Sequence, residues 1–243
     1  MSVIALSSPR KGQGQTTTGI NIAAMMSKEY DKDILFVDTN QLCRDVDYYL
    51  SDSYFTKGLD DFLNYCDTNK INDDNFMKCM KKTNFGLNLM SSNKCMEIKP
   101  NDIDILMYYA NEAFPFTFID VSTPISELIF KHSDRIIVVI NQIDITVNMI
   151  MGNELYERYK DRIVFVVNRY IRKSEGVKLS YSLKVIRKKL SDIGYKNNMV
   201  LPLAYDINLI NDCNEQRILN YIETNKKAKY VSDIKQIMTA INK

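Results

Sequence analysis

A glycine-rich segment over residues 7–18 has the residue types that bind phosphate. It reads Ser-Ser-Pro-Arg-Lys-Gly-Gln-Gly-Gln-Thr-Thr-Thr and lies between a short apolar run and a helix-like stretch. Backbone N–H groups in such a turn, with the positive end of a helix dipole, form an anion site without help from side chains. Gly12 and Gly14 allow close approach of the backbone, and Thr16 stands where a hydroxyl would bind Mg²⁺. The segment therefore predicts a phosphate-binding loop.

The loop departs at two positions from the common phosphate-loop pattern G-x-x-x-x-G-K-[ST]. Pro9 occupies the place of the first glycine, and Gln15 occupies the place of the lysine. A lysine there would put a positive charge on the β- and γ-phosphates, whereas glutamine supplies a hydrogen bond but no charge. Loss of one such contact costs roughly two to three decades in rate. The residues favour binding over fast hydrolysis, and a loop that binds nothing stays open as an alternative.

The hydrophobic pattern predicts the strands and helices that hold this loop. Short apolar runs alternate with longer amphipathic stretches, and several runs are apolar throughout, as strands covered by helices on both faces should be. The alternation predicts an α/β fold, a three-layer sandwich with a mostly parallel sheet of about seven strands flanked by helices. The predicted strands are Val3–Leu6, Ile34–Val37, Leu87–Met90, Phe116–Val121, Arg135–Ile140, Ile163–Val167 and Met199–Leu201.

Helical spacing of apolar residues is clearest in three places. It predicts a helix over Tyr181–Ile193, capped by Ser180 and ended by Gly194. Two helices separated by the polar segment Asp67–Asp74 are expected within Leu59–Lys82. A final helix carries Val231, Ile234, Met238 and Ile241. Since no internal repeat or linker interrupts these elements, one domain over residues 1–243 is the economical interpretation.

Composition excludes several other classes of protein. With 32 basic and 30 acidic residues, the net charge of +2 is too balanced for a charge-driven nucleic-acid coat. The longest wholly apolar run is about six residues, against about 20 for a spanning helix, and no signal peptide begins the sequence. We therefore expect a cytoplasmic protein. Five cysteines without a C-x-x-C spacing and one histidine, His132, argue against zinc, redox or histidine-based chemistry.

The segment from Ser8 to Ala24 resembles the deviant Walker A motif of the MinD/ParA ATPase superfamily, whose pattern is x-K-G-G-x-G-K-T-T. Arg10 falls on the signature lysine of that superfamily. The resemblance implies ATP or ADP with Mg²⁺ as cofactors and a face-to-face homodimer. It implies nucleotide contacts by a run of loop residues, namely Arg10, Lys11, Gly12, Gln13, Gly14, Gln15, Thr16 and Thr17.

Two strand ends carry further matches. Asp38 and Asn40 stand at the Asp-x-Asp switch segment of the superfamily, with a neutral amide in place of the second carboxylate. Asp120 ends a strand similar to Walker B. The resemblance implies a Mg²⁺ site of Thr16, Asp38 and Asp120, and catalytic roles for Arg10, Asp38 and Asn40. Asp38 and Asp120 could instead be helix caps or turn residues.

Residues of the later strands resemble the base-binding side of the superfamily. Asn168 and Arg169 end a strand similar to the one whose asparagine reads adenine, and Pro202 and Asp206 lie in a stretch that looks like the final I-P-x-x loop. The resemblance implies that all four contact the nucleotide. An asparagine after a strand is also an ordinary turn residue, so this alternative stays open for Asn168.

Positive charges near the loop have two interpretations. Arg10 and Lys11 could replace the missing lysine, within the same subunit or across a dimer, because arginine suits phosphate well. They could also be solvated loop charges. Arg187–Lys189 and Lys226–Lys227 could contact the DNA backbone, but solvated helix faces explain them equally well. Core packing is favoured over membrane-surface binding for the final helix, which lacks a strongly basic face.

The stretch Asp45–Leu50 behind Asp38 makes the sequence resemble the CpaE/TadZ branch, which positions the Tad (Flp) pilus secretion machinery. The resemblance implies a localisation or assembly factor for a pilus or secretion apparatus, with at most slow ATPase activity. Its place would be the cytoplasm, at a pole or at the inner face of the membrane. The receiver-like domain frequent in that branch is expected to be absent, because the loop begins at residue 8.

Two other functions stay open. A ParA-type partition ATPase would coat DNA non-specifically and hydrolyse ATP, and Gln15, Asn40 and the small net charge count against it. A nucleotide-free scaffold would explain Gln15, but it gives no reason to keep Thr16, Asp38 and Asp120 together.

Overall fold

A computed structural model of the chain describes residues 2–40, 57–83, 85–92, 94–172 and 181–242, together with Val46 and Tyr49. The expected cap Ser180 and most of the Asp45–Leu50 stretch lie outside these residues. None of the helices in the described ranges is long and apolar enough to cross a membrane.

The described residues contain eight strands in one sheet. They are β1 (Ser2–Ser7), β2 (Ile34–Asp38), β3 (Lys81–Lys82), β4 (Leu87–Met90), β5 (Phe116–Asp120), β6 (Arg135–Asn141), β7 (Ile163–Tyr170) and β8 (Val200–Ala204). The strand order is β3-β4-β2-β5-β1-β6-β7-β8, and all neighbours are parallel except β3, which pairs antiparallel with β4. The predicted fold class is confirmed. The two-residue strand β3 is an addition, because two lysines carry no apolar pattern.

Helices connect these strands and cover the sheet. They are α1 (Gln15–Tyr30), α2 (Leu59–Asp67), α3 (Asp73–Lys78), α4 (Pro100–Ala113), α5 (Ser126–His132), α6 (Asp144–Asn148), α7 (Glu154–Arg158), α8 (Leu183–Asp192), α9 (Ile207–Asn214), α10 (Ile218–Thr224) and α11 (Lys229–Ile241). The two helices expected within Leu59–Lys82 and the final helix are confirmed. Short 3-10 turns precede or follow some elements, at Thr123–Ile125, Lys160–Arg162 and Asn197–Met199.

The boundaries of α8 and β8 differ from the prediction. Helix α8 begins at Leu183 because the side chain of Ser182 accepts a hydrogen bond from the Val185 amide and so caps the helix. Strand β8 begins at Val200, since the residues before it form a 3-10 turn, and it continues through Pro202. As the last strand of the sheet, β8 tolerates a proline that cannot donate a hydrogen bond.

The sheet is buried on both faces, as its apolar strands predict. Along β1, Val3 and Ala5 face one hydrophobic core, and Ile4 and Leu6 face the other. Helix α11 packs on the second core, where its apolar residues are buried. The side of α11 that would enter a lipid surface is therefore occupied by core packing.

Parallel pairing brings the carboxyl ends of several strands to one edge of the sheet. In the register, Asp38 of β2 lies opposite Asp120 of β5, and Asn141 of β6 lies opposite Asn168 of β7. The loop after β1 opens at this same edge, between β5 and β6. The candidate functional residues are thus placed by strand ends, where α/β sheets bind ligands.

Candidate phosphate-binding site

The loop between β1 and α1 ends in a backbone conformation that favours glycine. Gly14 is the N-cap of α1 and has a φ of +83°, and Gly12 has a φ of +82°. No side chain in the described ranges caps α1, and its first turn contains no acidic residue. The backbone N–H groups of that turn are therefore left to an anion.

Two hydrogen bonds join this loop to the neighbouring strand ends. The side-chain amide of Asn168 donates to the carbonyl oxygen of Gln13 at 2.8 Å. The side-chain oxygen of Gln13, a buried residue, accepts from the backbone N–H of Asn141 at 3.0 Å. These two bonds anchor the loop to β6 and β7.

Gln15 turns its amide towards the end of β5. Its nitrogen lies 2.5 Å from an oxygen of Asp120, 3.0 Å from the carbonyl of Leu6 and 3.1 Å from the carbonyl of Val121. Because all three neighbours are acceptors, the amide nitrogen must face them. The hydroxyl of Thr16 donates to the other Asp120 oxygen at 2.5 Å. Neutral donors thus hold both oxygens of this carboxylate.

Asp38 and Asn40 lie at the end of β2, beside Asp120. The backbone N–H of Asn40 donates to the carboxylate of Asp38 at 2.8 Å. Between them, the buried hydroxyl of Thr39 donates to the Asp120 carbonyl at 2.7 Å and accepts from the Ser122 amide at 2.9 Å. These bonds fix the two strand ends against each other, so the carboxylates of Asp38 and Asp120 are neighbours at one edge.

The predicted metal ligands fit Mg²⁺ by their chemistry. Thr16, Asp38 and Asp120 supply a hydroxyl and two carboxylates at adjoining element ends, and Mg²⁺ is usually held by one or two carboxylates together with substrate phosphates. No group of three or more histidine, cysteine or acidic side chains in the described ranges could hold a metal ion. A hydroxyl and two carboxylates would leave the other positions around a Mg²⁺ ion to phosphate oxygens and water.

Arg10 and Lys11 lie on the outer side of the loop. Both are exposed, and neither side chain forms an ion pair or hydrogen bond with the part of the chain that the structure describes. The hydroxyl of Ser8 donates to the carbonyl of Arg10 at 3.0 Å, which shapes the entry to the loop. This arrangement agrees with either predicted role, a phosphate contact in place of the missing lysine or a solvated loop charge.

The residues predicted for the base side occupy different environments. Asn168 is buried beside the loop, and Arg169 follows it with a φ of +51°. Pro202 is buried in β8, opposite Val167 in the register. Asp206 caps α9, and its carboxylate accepts from the Asn208 amide at 2.9 Å and from the Tyr221 hydroxyl at 2.6 Å. These contacts make Asp206 an N-cap in the structure, while a nucleotide contact stays a prediction.

Tyr221 is held in its protonated form by its surroundings. Burial raises the pKa of the Tyr221 hydroxyl, and its hydrogen bond to the Asp206 carboxylate raises that pKa further. The pKa of Cys213 is raised to about 11, chiefly by burial, while the nearby charge of Arg169 lowers it. Both groups therefore stay protonated near neutral pH.

The sequence interpretation missed two structural residues of this region, Thr39 and Asp233, and it missed the anchoring role of Gln13. Gln13 and Thr39 tie the loop and the strand ends through side-chain bonds that no spacing signals. Asp233 on α11 has a fully buried side chain that pairs with Arg172 at 2.8 Å and with Lys229 at 3.0 Å. Asp233 could have been found from the sequence, because it lies among apolar residues on the predicted buried face of the final helix.

Solved structures of the same fold are similar to this chain over nearly its whole length. A ParA family ATPase from Chlorobium tepidum matches with a TM-score of 0.80 and 18% identity, covering 98% of each chain. A chain of the MinC:MinD cell division protein complex from Aquifex aeolicus matches with a TM-score of 0.76 and 18% identity, covering 100% of this chain and 96% of that one.

A structure with a bound nucleotide is also similar. The septum site-determining protein MinD from Pyrococcus horikoshii, solved with Mg-ADP, matches with a TM-score of 0.75 and 13% identity, covering 100% of this chain and 96% of that chain. A scan against protein-family models finds no match, and a search of curated protein sequences finds none either. At these identities, the comparisons establish that the fold is that of MinD/ParA ATPase structures.

Proposed function

We propose that this chain is a MinD/ParA-type protein that binds ATP or ADP at the loop after β1 and hydrolyses ATP slowly or not at all. The observation that carries the proposal is the preformed loop. Gly14 caps α1 in a left-handed conformation, and Thr16 bonds to Asp120 at the adjoining strand end. Such a helix N-terminus binds phosphate through backbone N–H groups, whatever the side chains contribute.

The proposed metal site supports nucleotide binding. Thr16, Asp38 and Asp120 would hold Mg²⁺, which when bound neutralises charge on the phosphates. Arg10 and Lys11, both exposed and close to the loop entry, would supply further positive charge within the subunit or across a homodimer.

Slow hydrolysis follows from two residues. Gln15 brings no charge to the phosphates, and its amide is engaged with Asp120. Asn40 offers a neutral amide where the resemblance places a carboxylate that orients the attacking water, and its backbone N–H is bonded to Asp38. Nucleotide binding would therefore have a regulatory role, in which the bound nucleotide favours a dimer.

The biological role we propose is a localisation or assembly factor for a Tad/Flp-type pilus or secretion apparatus. Only the resemblance of the segment behind Asp38 to the CpaE/TadZ branch supports this step. The partners would be proteins of that apparatus, and the site of action would be the cytoplasm, at a pole or at the inner face of the membrane.

A partition ATPase that coats DNA is the main competing function. The DNA contact predicted for such an ATPase is the basic cluster 187–189 on α8, and two of its three side chains form bonds within the protein. Arg187 donates to the carbonyl of Val200 at 2.8 and 3.1 Å, and Lys189 pairs with Asp144 at 2.6 Å. The ion pair neutralises one of the three charges, and the bond to a neutral carbonyl orients Arg187 without removing its charge. The reduced positive charge of this helix counts against non-specific coating.

Light scattering and DNA binding separate these functions. The purified protein is measured with Mg-ADP, Mg-ATP and a non-hydrolysable ATP analogue, and its DNA affinity is measured at low and high salt. We expect a dimer with the analogue and no DNA binding at physiological salt. Strong, salt-dependent DNA binding in the presence of ATP would favour the partition function. Failure to bind any nucleotide would favour the nucleotide-free scaffold function.

A further inference from the structure

We propose that Asn168 is a positioning residue that holds the phosphate loop in its anion-binding conformation, instead of a contact to the nucleotide base. The inference rests on the proposed function, because it concerns the same loop. It assigns to Asn168 a different task from the one that the resemblance implies.

Both ends of the Asn168 amide are held by backbone groups. Its nitrogen donates to the carbonyl oxygen of Gln13 at 2.8 Å, and its oxygen accepts from the backbone N–H of Arg169 at 2.9 Å. The residue is only 7% exposed. This pair of partners fixes the direction of the side chain, and its nitrogen points at the loop.

The conformation of Gly14 depends on the same amide. A Cβ atom added to Gly14 would lie 2.3 Å from the side-chain nitrogen of Asn168. The loop backbone therefore passes so close to Asn168 that only glycine fits, and the positive φ of Gly14 also requires glycine. Asn168 and Gly14 together determine how the chain enters α1, where the phosphate-binding N–H groups lie.

The backbone turn after Asn168 also directs its side chain towards the loop. Arg169 adopts a left-handed φ of +51°, which is unfavourable for a residue with a side chain. This turn coincides with an irregular register between Val167 and Tyr170 in the pairing of β7 with β8. The bond from the Arg169 amide to Asn168 stabilises the turn, so the irregular strand end aims the asparagine at the loop.

A second hydrogen bond of Gln13 attaches the loop to β6 as well as to β7. The side-chain oxygen of Gln13 accepts from the backbone N–H of Asn141, which lies opposite Asn168 in the register of β6 and β7. The backbone carbonyl of Gln13 binds β7 and its side chain binds β6. Asn168 thus completes an attachment that fixes the residue before the helix cap.

Binding of two ligands separates the two roles of Asn168. Tripolyphosphate carries the phosphates of ATP without the base, so calorimetry with each ligand distinguishes a loop defect from a base defect. The variants are Asn168→Ala and Asn168→Leu, which keeps the branched shape but has no donor. The control is Asn88→Ala, because Asn88 is 4% exposed in β4 and its side-chain nitrogen has no hydrogen-bond partner in the described ranges.

We expect both Asn168 variants to lose about tenfold in affinity for ATP and for tripolyphosphate alike, as removal of one positioning hydrogen bond predicts. The Asn88→Ala protein should keep the affinity of the wild type. Loss of ATP affinity with unchanged tripolyphosphate affinity would show a base contact and overturn the proposal.

Hydrogen exchange of the nucleotide-free protein gives a readout that needs no ligand. The peptide covering residues 10–15 should exchange faster in both Asn168 variants than in the wild type or in Asn88→Ala. Equal exchange in all four proteins would overturn the positioning role. A wild type that binds neither ligand would refute the proposed function alone, since the exchange measurement still tests the attachment.

Discussion

The amide nitrogen of Gln15 lies 2.5 Å from a carboxylate oxygen of Asp120, joining the first residue of α1 to the last residue of β5. Thr16 donates to the other oxygen of the same carboxylate. A lysine at position 15 would carry a charge to the phosphates, whereas the glutamine satisfies the protein's own acceptors. The same pair of residues therefore keeps the loop in order and, in the proposed function, would make hydrolysis slow.

Restoring the charge at position 15 should raise ATP hydrolysis. We expect Gln15→Lys to increase the single-turnover rate by roughly two decades, because the ammonium stabilises charge that develops on the phosphates. Phosphate release is compared with Gln15→Met, which has a similar length but neither charge nor donor. A Gln15→Lys protein no faster than the wild type would contradict the electrostatic explanation.

The two loop glycines should respond differently to the same substitution. An added methyl group at Gly14 meets Asn168 at 2.3 Å, whereas at Gly12 it meets nothing within 4 Å, and both residues have nearly the same positive φ. Gly12→Ala should cost only about 1 kcal/mol of backbone strain. Gly14→Ala should also lower ATP affinity by at least about tenfold, measured by calorimetry. Equal losses in the two variants would show that the contact with Asn168 is unimportant.

The buried carboxylate of Asp233 should dominate the electrostatic stability of the final helix. Its side chain is 0% exposed, pairs with Arg172 and Lys229, and accepts a hydrogen bond from the Ala204 amide at 3.0 Å. Asp233→Ala should lower the free energy of unfolding by about 1–3 kcal/mol, because it leaves the Ala204 amide without this acceptor, whereas the half-exposed Arg172 and Lys229 regain water. Urea denaturation measures this loss.

An exposed acidic residue provides the control for that substitution. Asp161 has an 82% exposed side chain and lies 3.9 Å from Lys196. Its replacement by alanine should change the free energy of unfolding by less than about 1 kcal/mol. Similar losses for the Asp161 and Asp233 variants would mean that the buried network contributes no more than a surface ion pair.

Burial keeps two thiols, those of Cys66 and Cys79, protonated and unreactive. The pKa of Cys66 and that of Cys79 are each raised from 9.0 to about 12, mainly by desolvation. Iodoacetamide at about pH 8 should label the exposed Cys95 and spare these two, as judged by mass spectrometry. Labelling of Cys66 or Cys79 in the folded protein at the rate of Cys95 would contradict the buried positions.

The same thiols predict the direction of a pH effect on stability. The stabilisation that the protonated thiols give the folded protein is fully present below pH 9 and is lost as the pH rises towards about 12. The reason is that the thiols lose their protons at a lower pH in the unfolded chain than in the folded protein. The urea midpoint should therefore fall between about pH 9 and about pH 11. In a Cys66→Ala, Cys79→Ala protein the decline should be smaller, and an identical decline would assign it to other groups.

Fold and site differ in how far they follow from the sequence. The parallel sheet was predictable because its strands are apolar throughout, and the loop was predictable because glycine and threonine spacing is local. The hydrogen bonds of Gln13, Gln15 and Asn168 were not, since they join residues more than 100 positions apart through amide groups that have no characteristic spacing. The lysine pair of β3 carries no apolar pattern and gave no strand signal.

The most direct test of the central claim is a calorimetric titration with Mg-ATP beside a phosphate-release assay on the same preparation. We expect saturable binding at one nucleotide per chain, with turnover far slower than about 1 s⁻¹, the lower end of typical enzyme rates. Saturable binding accompanied by turnover at or above that rate would contradict it, as would the absence of any binding.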